Sequence, residues 1–79
     1  MESIAAEVAA AHGFTVAELR GERRPHALAH ARQEAYLEIQ ERLQFSSIKI
    51  GLWFGGRDHT TVLYGVKRAK ERGGYTLGR

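Results

Sequence analysis

Residues 57–61, Arg-Asp-His-Thr-Thr, put a cation, a carboxylate, an imidazole and two hydroxyls in consecutive positions behind a double glycine, Gly55-Gly56. Two kinds of chemistry use such groups. Hydrolysis would need Asp58 and His59 to act as a dyad on one substrate. Adjacent side chains on a helix diverge by about 100°, and neither residue has a second carboxylate one helical step away. No catalytic residue is assigned on this basis. Reading nucleic-acid bases needs short polar and methyl-bearing side chains on an exposed turn, and that is what stands here. Neutral His59 can donate from one ring nitrogen and accept at the other. Thr60 offers a methyl for thymine, and Thr61 a hydroxyl for phosphate. Asp58 can cap a helix and accept from a cytosine or adenine amino group. Arg57 is a phosphate contact or an intramolecular partner for a carboxylate.

These groups need a helix that starts just behind the glycines. Gly55 and Gly56 can take positive φ without a Cβ clash. Asp58 or Thr60 can cap the free N–H groups of a helix over about His59–Arg72. Val62, Val66 and Ala69 would face its core, and Gly65 inside it costs about 1 kcal/mol against Ala. A short helix over Ser47–Trp53, capped by Ser46 and turning Ile50 and Phe54 inward, leads into the glycine turn. The brief alternation Ser47-Ile48-Lys49-Ile50 has no partner strand.

Upstream, Ile4, Val8 and the alanines around them predict a helix from about Ser3 to Ala11, stopped by His12-Gly13. Thr15 and Glu18 form a capping box for a short helix through Arg20, with Phe14 and Leu19 at staple spacing. Gly21 to Pro25 is a charged loop. From His26 to Leu43 no Gly or Pro interrupts a long helix, with Leu28, Ala31, Ala35, Ile39 and Leu43 on one stripe. The expected architecture is all-α: a helix-turn-helix domain of about five helices in a Trp-repressor-like arrangement over residues 1–72, then a flexible tail over 73–79.

Composition narrows the function classes. The 79 residues suffice for one small core. There is no cysteine, so no disulfide frame or thiolate metal site holds the chain together. No apolar run reaches bilayer-spanning length, and the N-terminus lacks a secretory pattern, so the expected compartment is the cytoplasm, with association to the nucleoid. The net charge of +3 is unevenly spread: residues 45–79 carry seven basic residues against Asp58 and Glu71. That asymmetry suits a polyanion, or a solvated helix face. Arg23-Arg24 stands between Gly21 and Pro25, and the proline biases Arg24 toward an extended backbone that can enter a narrow minor groove. The alternative is a solvated loop. His26 and His30 have a metal-binding spacing, but no third ligand accompanies them and no metal or cofactor is assigned. Trp53 and Phe54 read as core rather than as a base-stacking platform.

Gly55 to Val62, read as Gly-Gly-Arg-Asp-His-Thr-Thr-Val, resembles the signature of the C-terminal DNA-binding domain of the bacterial chromosomal replication initiator. The resemblance extends over about residues 14–72. Val16-Ala17-Glu18-Leu19 is similar to that family's short helix, Arg23-Arg24 to its basic loop, Ala31-Arg32-Gln33 to part of its long helix, and Ile50-Gly51 with Phe54 to the first helix of its helix-turn-helix. The resemblance implies sequence-specific binding of double-stranded DNA. By it, Arg24 enters the minor groove, and Asp58, His59 and Thr60 face bases in the major groove. Arg32 and Gln33 contact phosphate and Thr61 lies against the backbone. Arg23, Arg57, Lys67 and Arg68 complete the expected phosphate grip.

The chain departs from the family pattern in places. Glu22 stands where a basic residue is frequent, and His30 where an arginine is. The family's Ser-Leu-Pro-Glu-Ile-Gly becomes Ser46-Ser47-Ile48-Lys49-Ile50-Gly51, leaving Ile48 to supply apolar base contact and altering the expected site. No GxxxxGK[ST] loop and no room for the family's ATPase module exist in the 79 residues. They are expected to bind DNA as a monomer without loading nucleotide, as an excised domain or a stand-alone relative, with a protein regulator of initiation as a further candidate partner. Rival readings are a small transcriptional regulator with an altered site, a protein-interaction module on the same fold, and a nucleoid binder without sequence preference.

Overall fold

The computed structural model describes residues 1–22 and 25–73. Five helices follow one another: α1 (Glu2–His12), α2 (Val16–Arg20), α3 (His26–Leu43), α4 (Ser47–Trp53) and α5 (His59–Glu71). Arg23, Arg24 and the expected tail from residue 74 onward lie outside the described residues.

The helix ends follow local side-chain chemistry. Gly13 stops α1 in the left-handed region at φ 78°, where a Cβ would be penalised. Thr15 and Glu18 close the capping box of α2: the Glu18 N–H donates to Thr15 Oγ1 at 3.1 Å, and the Thr15 N–H to Glu18 Oε1 at 2.9 Å. Pro25, with no donor to lose and φ already at −59°, precedes α3. Ser46 caps α4 by accepting from the Lys49 N–H at 3.1 Å. The alternating run at 47–50 is therefore helix.

The central helix is α3. It packs against α1 and α2 and also against α4 and α5. Leu28, Ala31, Ala35 and Ile39 are buried as their spacing predicts, but so are Tyr36 and Leu37 on other faces. Each large apolar side chain so buried contributes about 1.5–3 kcal/mol. Leu43 departs from the expected stripe and is 38% exposed. The helix ends there, and Gln44 turns the chain away at φ 56°. Encirclement of α3 also buries Glu34 and Glu38. Each has a basic partner, as burial of a charge demands: His12 Nε2 lies 2.8 Å from Glu34 Oε2, and Arg42 Nε 3.0 Å from Glu38 Oε1.

Gly65 lets α5 close on α3. A Cβ at this position would lie 2.6 Å from Tyr36 Cδ2 and 3.0 Å from Cε2. The Tyr36 ring occupies that space and meets Phe54 edge-on at 4.9 Å between centroids. The helix-propensity loss at Gly65 is thus exchanged for close packing of α5 on the central helix.

Candidate nucleic-acid interface

α4, the glycine turn and α5 form the helix-turn-helix. Gly55 and Gly56 have φ of 83° and 80°, the conformation their lack of Cβ permits. The Gly51 carbonyl accepts from the N–H groups of Gly56 at 3.1 Å and Arg57 at 2.8 Å, fastening the turn to α4. A side chain at Gly51 would strike the Arg57 carbonyl. Beyond the turn, Val62 is fully buried, while Asp58, His59, Thr60 and Thr61 are all exposed. The first turn of α5 therefore points outward and its next residue anchors it.

Asp58 is the cap. Its Oδ1 accepts from the Thr60 N–H and from the Thr60 hydroxyl, each at 2.8 Å. Those two bonds, the backbone one foremost, hold the Asp58 carboxyl below its ordinary value, with His59 adding to them. His59 Nδ1 is 3.4 Å from the same oxygen. Ile48, 60% exposed, stands on the first turn of α4. Further along α5, Tyr64, Lys67, Arg68 and Lys70 are exposed.

Beside this turn lies a cleft of about 780 Å³. Gln33 of α3, Gly55, Gly56 and Arg57 of the turn, and Thr61 and Tyr64 of α5 line it, with Arg20 and Glu22 at the end of α2. Tyr36 also lines it, and its buried hydroxyl has no hydrogen-bond partner among the described residues. Burial pushes the Tyr36 phenol above its ordinary range against the opposing charges of Arg57 and Arg32. Gln33 Oε1 accepts from Arg72 Nη1 at 2.7 Å. At the same edge His30 is held below its ordinary value by desolvation, then by the charges of Arg72, His26 and Arg68, with Glu34 opposing.

A match to the family described as bacterial DnaA protein helix-turn-helix covers residues 1–69. The chain belongs to the bacterial DnaA helix-turn-helix family. Chromosomal replication initiator proteins DnaA from Paraburkholderia phymatum, Burkholderia vietnamiensis and Burkholderia mallei are each 43% identical over 74 residues, covering 92% of this chain. The chain spans about 14% of the length of these relatives. No solved structure matches.

Within this DnaA-type domain the structure gathers Asp58, His59, Thr60 and Thr61 on one exposed turn, with Gln33 beside the cleft that Thr61 lines. Lys67 and Arg68 follow along α5, where Arg68 Nη1 pairs with Glu71 Oε1 at 3.1 Å on the surface. Arg32 and Arg57, both expected on phosphate, have their guanidiniums against backbone carbonyls in the structure. Arg32 is only 7% exposed, and its guanidinium donates to the carbonyls of Leu19 at 2.7 Å and of Glu18 and Gly21 at 3.3 Å. Arg57 donates to the carbonyls of Phe54 and Gly21 and, at 3.4 Å, of Arg20. Its intramolecular partners are backbone carbonyls rather than a carboxylate. Both guanidiniums are engaged at the end of α2, where the carbonyls of Glu18, Leu19, Arg20 and Gly21 gather and a helix's last carbonyls need partners.

Tyr64 and Arg20 are among the lining residues not singled out from sequence. Tyr64 falls three residues after Thr61, a spacing that puts both on one helix face, and that signal was readable. Arg20 was not readable in this role. Its guanidinium stacks 4.5 Å from the Trp53 ring centroid and its Nε donates to the Trp53 carbonyl at 2.7 Å, contacts set by tertiary packing.

Proposed function

We propose that this chain binds double-stranded DNA sequence-specifically, laying the N-terminal turn of α5 in the major groove as a domain of a replication initiator would. The observation that carries this reading is the outward first turn of α5, behind the double-glycine bend, in a chain of the DnaA helix-turn-helix family. His59 and Thr60 read base edges, Asp58 caps the helix and accepts from a base amino group, and Ile48 adds apolar contact at the start of α4. Arg24, with Arg23 on phosphate, occupies the flanking minor groove. A DNA backbone follows the cleft, where the Gln33 amide donors, the Thr61 hydroxyl and, further along, Lys67 and Arg68 contact phosphate. Such contacts position the protein, and base contacts specify the sequence. The role is in replication initiation or its regulation, at the nucleoid in the cytoplasm, without catalysis.

A mobility-shift titration tests this reading. An initiator-box duplex and a shuffled duplex are compared at two salt concentrations. The expected result is tighter binding of the box and a fall in both affinities with salt, since each phosphate contacted contributes about 0.9 to the log–log slope. Absence of salt-sensitive duplex binding would favour a protein-interaction module. Equal affinities for the two duplexes would favour a binder without sequence preference.

A further inference from the structure

The end of α2 is gripped from two sides. From α3, Arg32 reaches the carbonyls of Glu18, Leu19 and Gly21. From the helix-turn-helix, Arg57 reaches those of Arg20 and Gly21 while also bonding the Phe54 carbonyl of its own turn. Both guanidiniums therefore converge on one acceptor, the Gly21 carbonyl. The grip is reciprocal. Arg20 donates back to the Trp53 carbonyl at 2.7 Å, and a Cβ on Gly55 would lie 3.0 Å from the Arg20 carbonyl, so the turn and the end of α2 are in close contact.

Arg57 immediately precedes Asp58, the cap of α5. Gly21 begins the sequence that continues to Arg23-Arg24. A five-residue helix has little stability of its own, and its last carbonyls need partners. A planar guanidinium with donors in a fixed fork can hold several carbonyls at once, and a lysine ammonium cannot reproduce that geometry.

We propose that Arg57 is a positioning residue that, with Arg32, locks the end of α2 to the recognition helix, so that the Gly21 segment and α5 meet a duplex at one fixed spacing. This rests on the DNA-binding reading above and deepens it. It moves Arg57 from the phosphate contacts to the framework that aligns two reading elements. Preference at base pairs flanking the major-groove site then depends on Arg57, although Arg57 touches no base.

The test compares wild type, Arg57→Lys and Arg57→Met. In the free proteins, amide hydrogen exchange is followed at Arg20, Gly21 and Glu22. In the complexes, affinity is measured for a box duplex, for one with altered flanking pairs and for one with an altered core. Arg57→Lys keeps the charge, so a phosphate contact would survive it. The proposal expects Arg57→Lys to behave like Arg57→Met, with faster exchange at these three amides. It also expects loss of about tenfold in box affinity, the equivalent of one charge-assisted hydrogen bond. Discrimination against altered flanks should shrink, while discrimination against the altered core persists. Near-wild-type affinity and flank preference in Arg57→Lys, with unchanged exchange, would overturn it. If wild type itself fails to discriminate the box, the DNA-reading proposal fails, and unchanged exchange in Arg57→Lys would then still overturn the lock. Should Arg57→Met not fold, Arg57→Lys alone decides.

Discussion

The Asp58 carboxylate holds Thr60 twice through one oxygen: Oδ1 accepts from both the Thr60 N–H and the Thr60 hydroxyl at 2.8 Å. The second bond fixes the threonine rotamer. With its hydroxyl tethered to the cap, the group Thr60 has left for a base edge is its methyl. Cap and threonine are thus one local unit, held by bonds within the chain.

This makes Thr60→Ser a sharp substitution. Serine keeps the hydroxyl that bonds Asp58 and loses only the methyl. Wild type is expected to prefer thymine over uracil at the contacted position by about 0.8 kcal/mol, roughly fourfold, the worth of one buried methyl-sized group. Thr60→Ser should bind the two duplexes equally. Anisotropy titrations with thymine- and uracil-containing boxes measure this directly.

Lys67 is exposed on α5, has no ion pair among the described residues, and is proposed to contact phosphate. Lys67→Ala should weaken box and shuffled duplexes alike. It should also lower the slope of log affinity against log salt by about 1. A change in the box-to-shuffled ratio would instead place Lys67 among the base-reading residues.

Gly65→Ala sets two effects against each other. Alanine restores about 1 kcal/mol of helix propensity. The new methyl, however, meets a buried ring at 2.6 Å, and overpacking of a rigid neighbour costs about 1–3 kcal/mol. The ring cannot swing aside because it is wedged edge-on against Phe54. Net destabilisation in urea unfolding is expected, partly relieved in the Gly65→Ala/Tyr36→Leu double variant.

Tyr36→Phe should leave the free domain as stable as wild type or more so, since a buried hydroxyl without a partner costs about 1–3 kcal/mol. The phenol also couples stability to alkaline pH. Its folded value is raised above 10.0, so the folded state keeps a proton that the unfolded state has released. That contribution is complete below pH 10.0 and is lost as pH rises through the higher folded value. Wild type should lose stability over this window and Tyr36→Phe should lose less, as read from unfolding midpoints at pH 8 to 11.

Most of the fold could be read from local signals. The capping box at Thr15-Glu18, the proline before α3, Ser46 and Asp58 as caps, and the double glycine all act within a few residues of the boundary they set. The faces of α3 could not be read so well. A single apolar stripe assumes one buried side, and α3 is surrounded, so Tyr36 and Leu37 escaped the pattern and Glu34 and Glu38 are buried against basic partners nearer the surface. The site divides in the same way. The exposed turn of α5 followed from consecutive residues. The engagement of Arg32 and Arg57 by the carbonyls of α2 depended on contacts between residues far apart in sequence, and no spacing rule encodes those. An arginine beside a polar turn reads as a phosphate ligand until the packing shows what its guanidinium already holds.

The central claim is that side chains on the first turn of α5 read bases. The most direct test is the ratio of affinities for box and shuffled duplexes, measured side by side for wild type and His59→Ala. Wild type should favour the box, and His59→Ala should lose about 1–3 kcal/mol of that preference while keeping its affinity for the shuffled duplex. An unchanged ratio in His59→Ala would contradict the account.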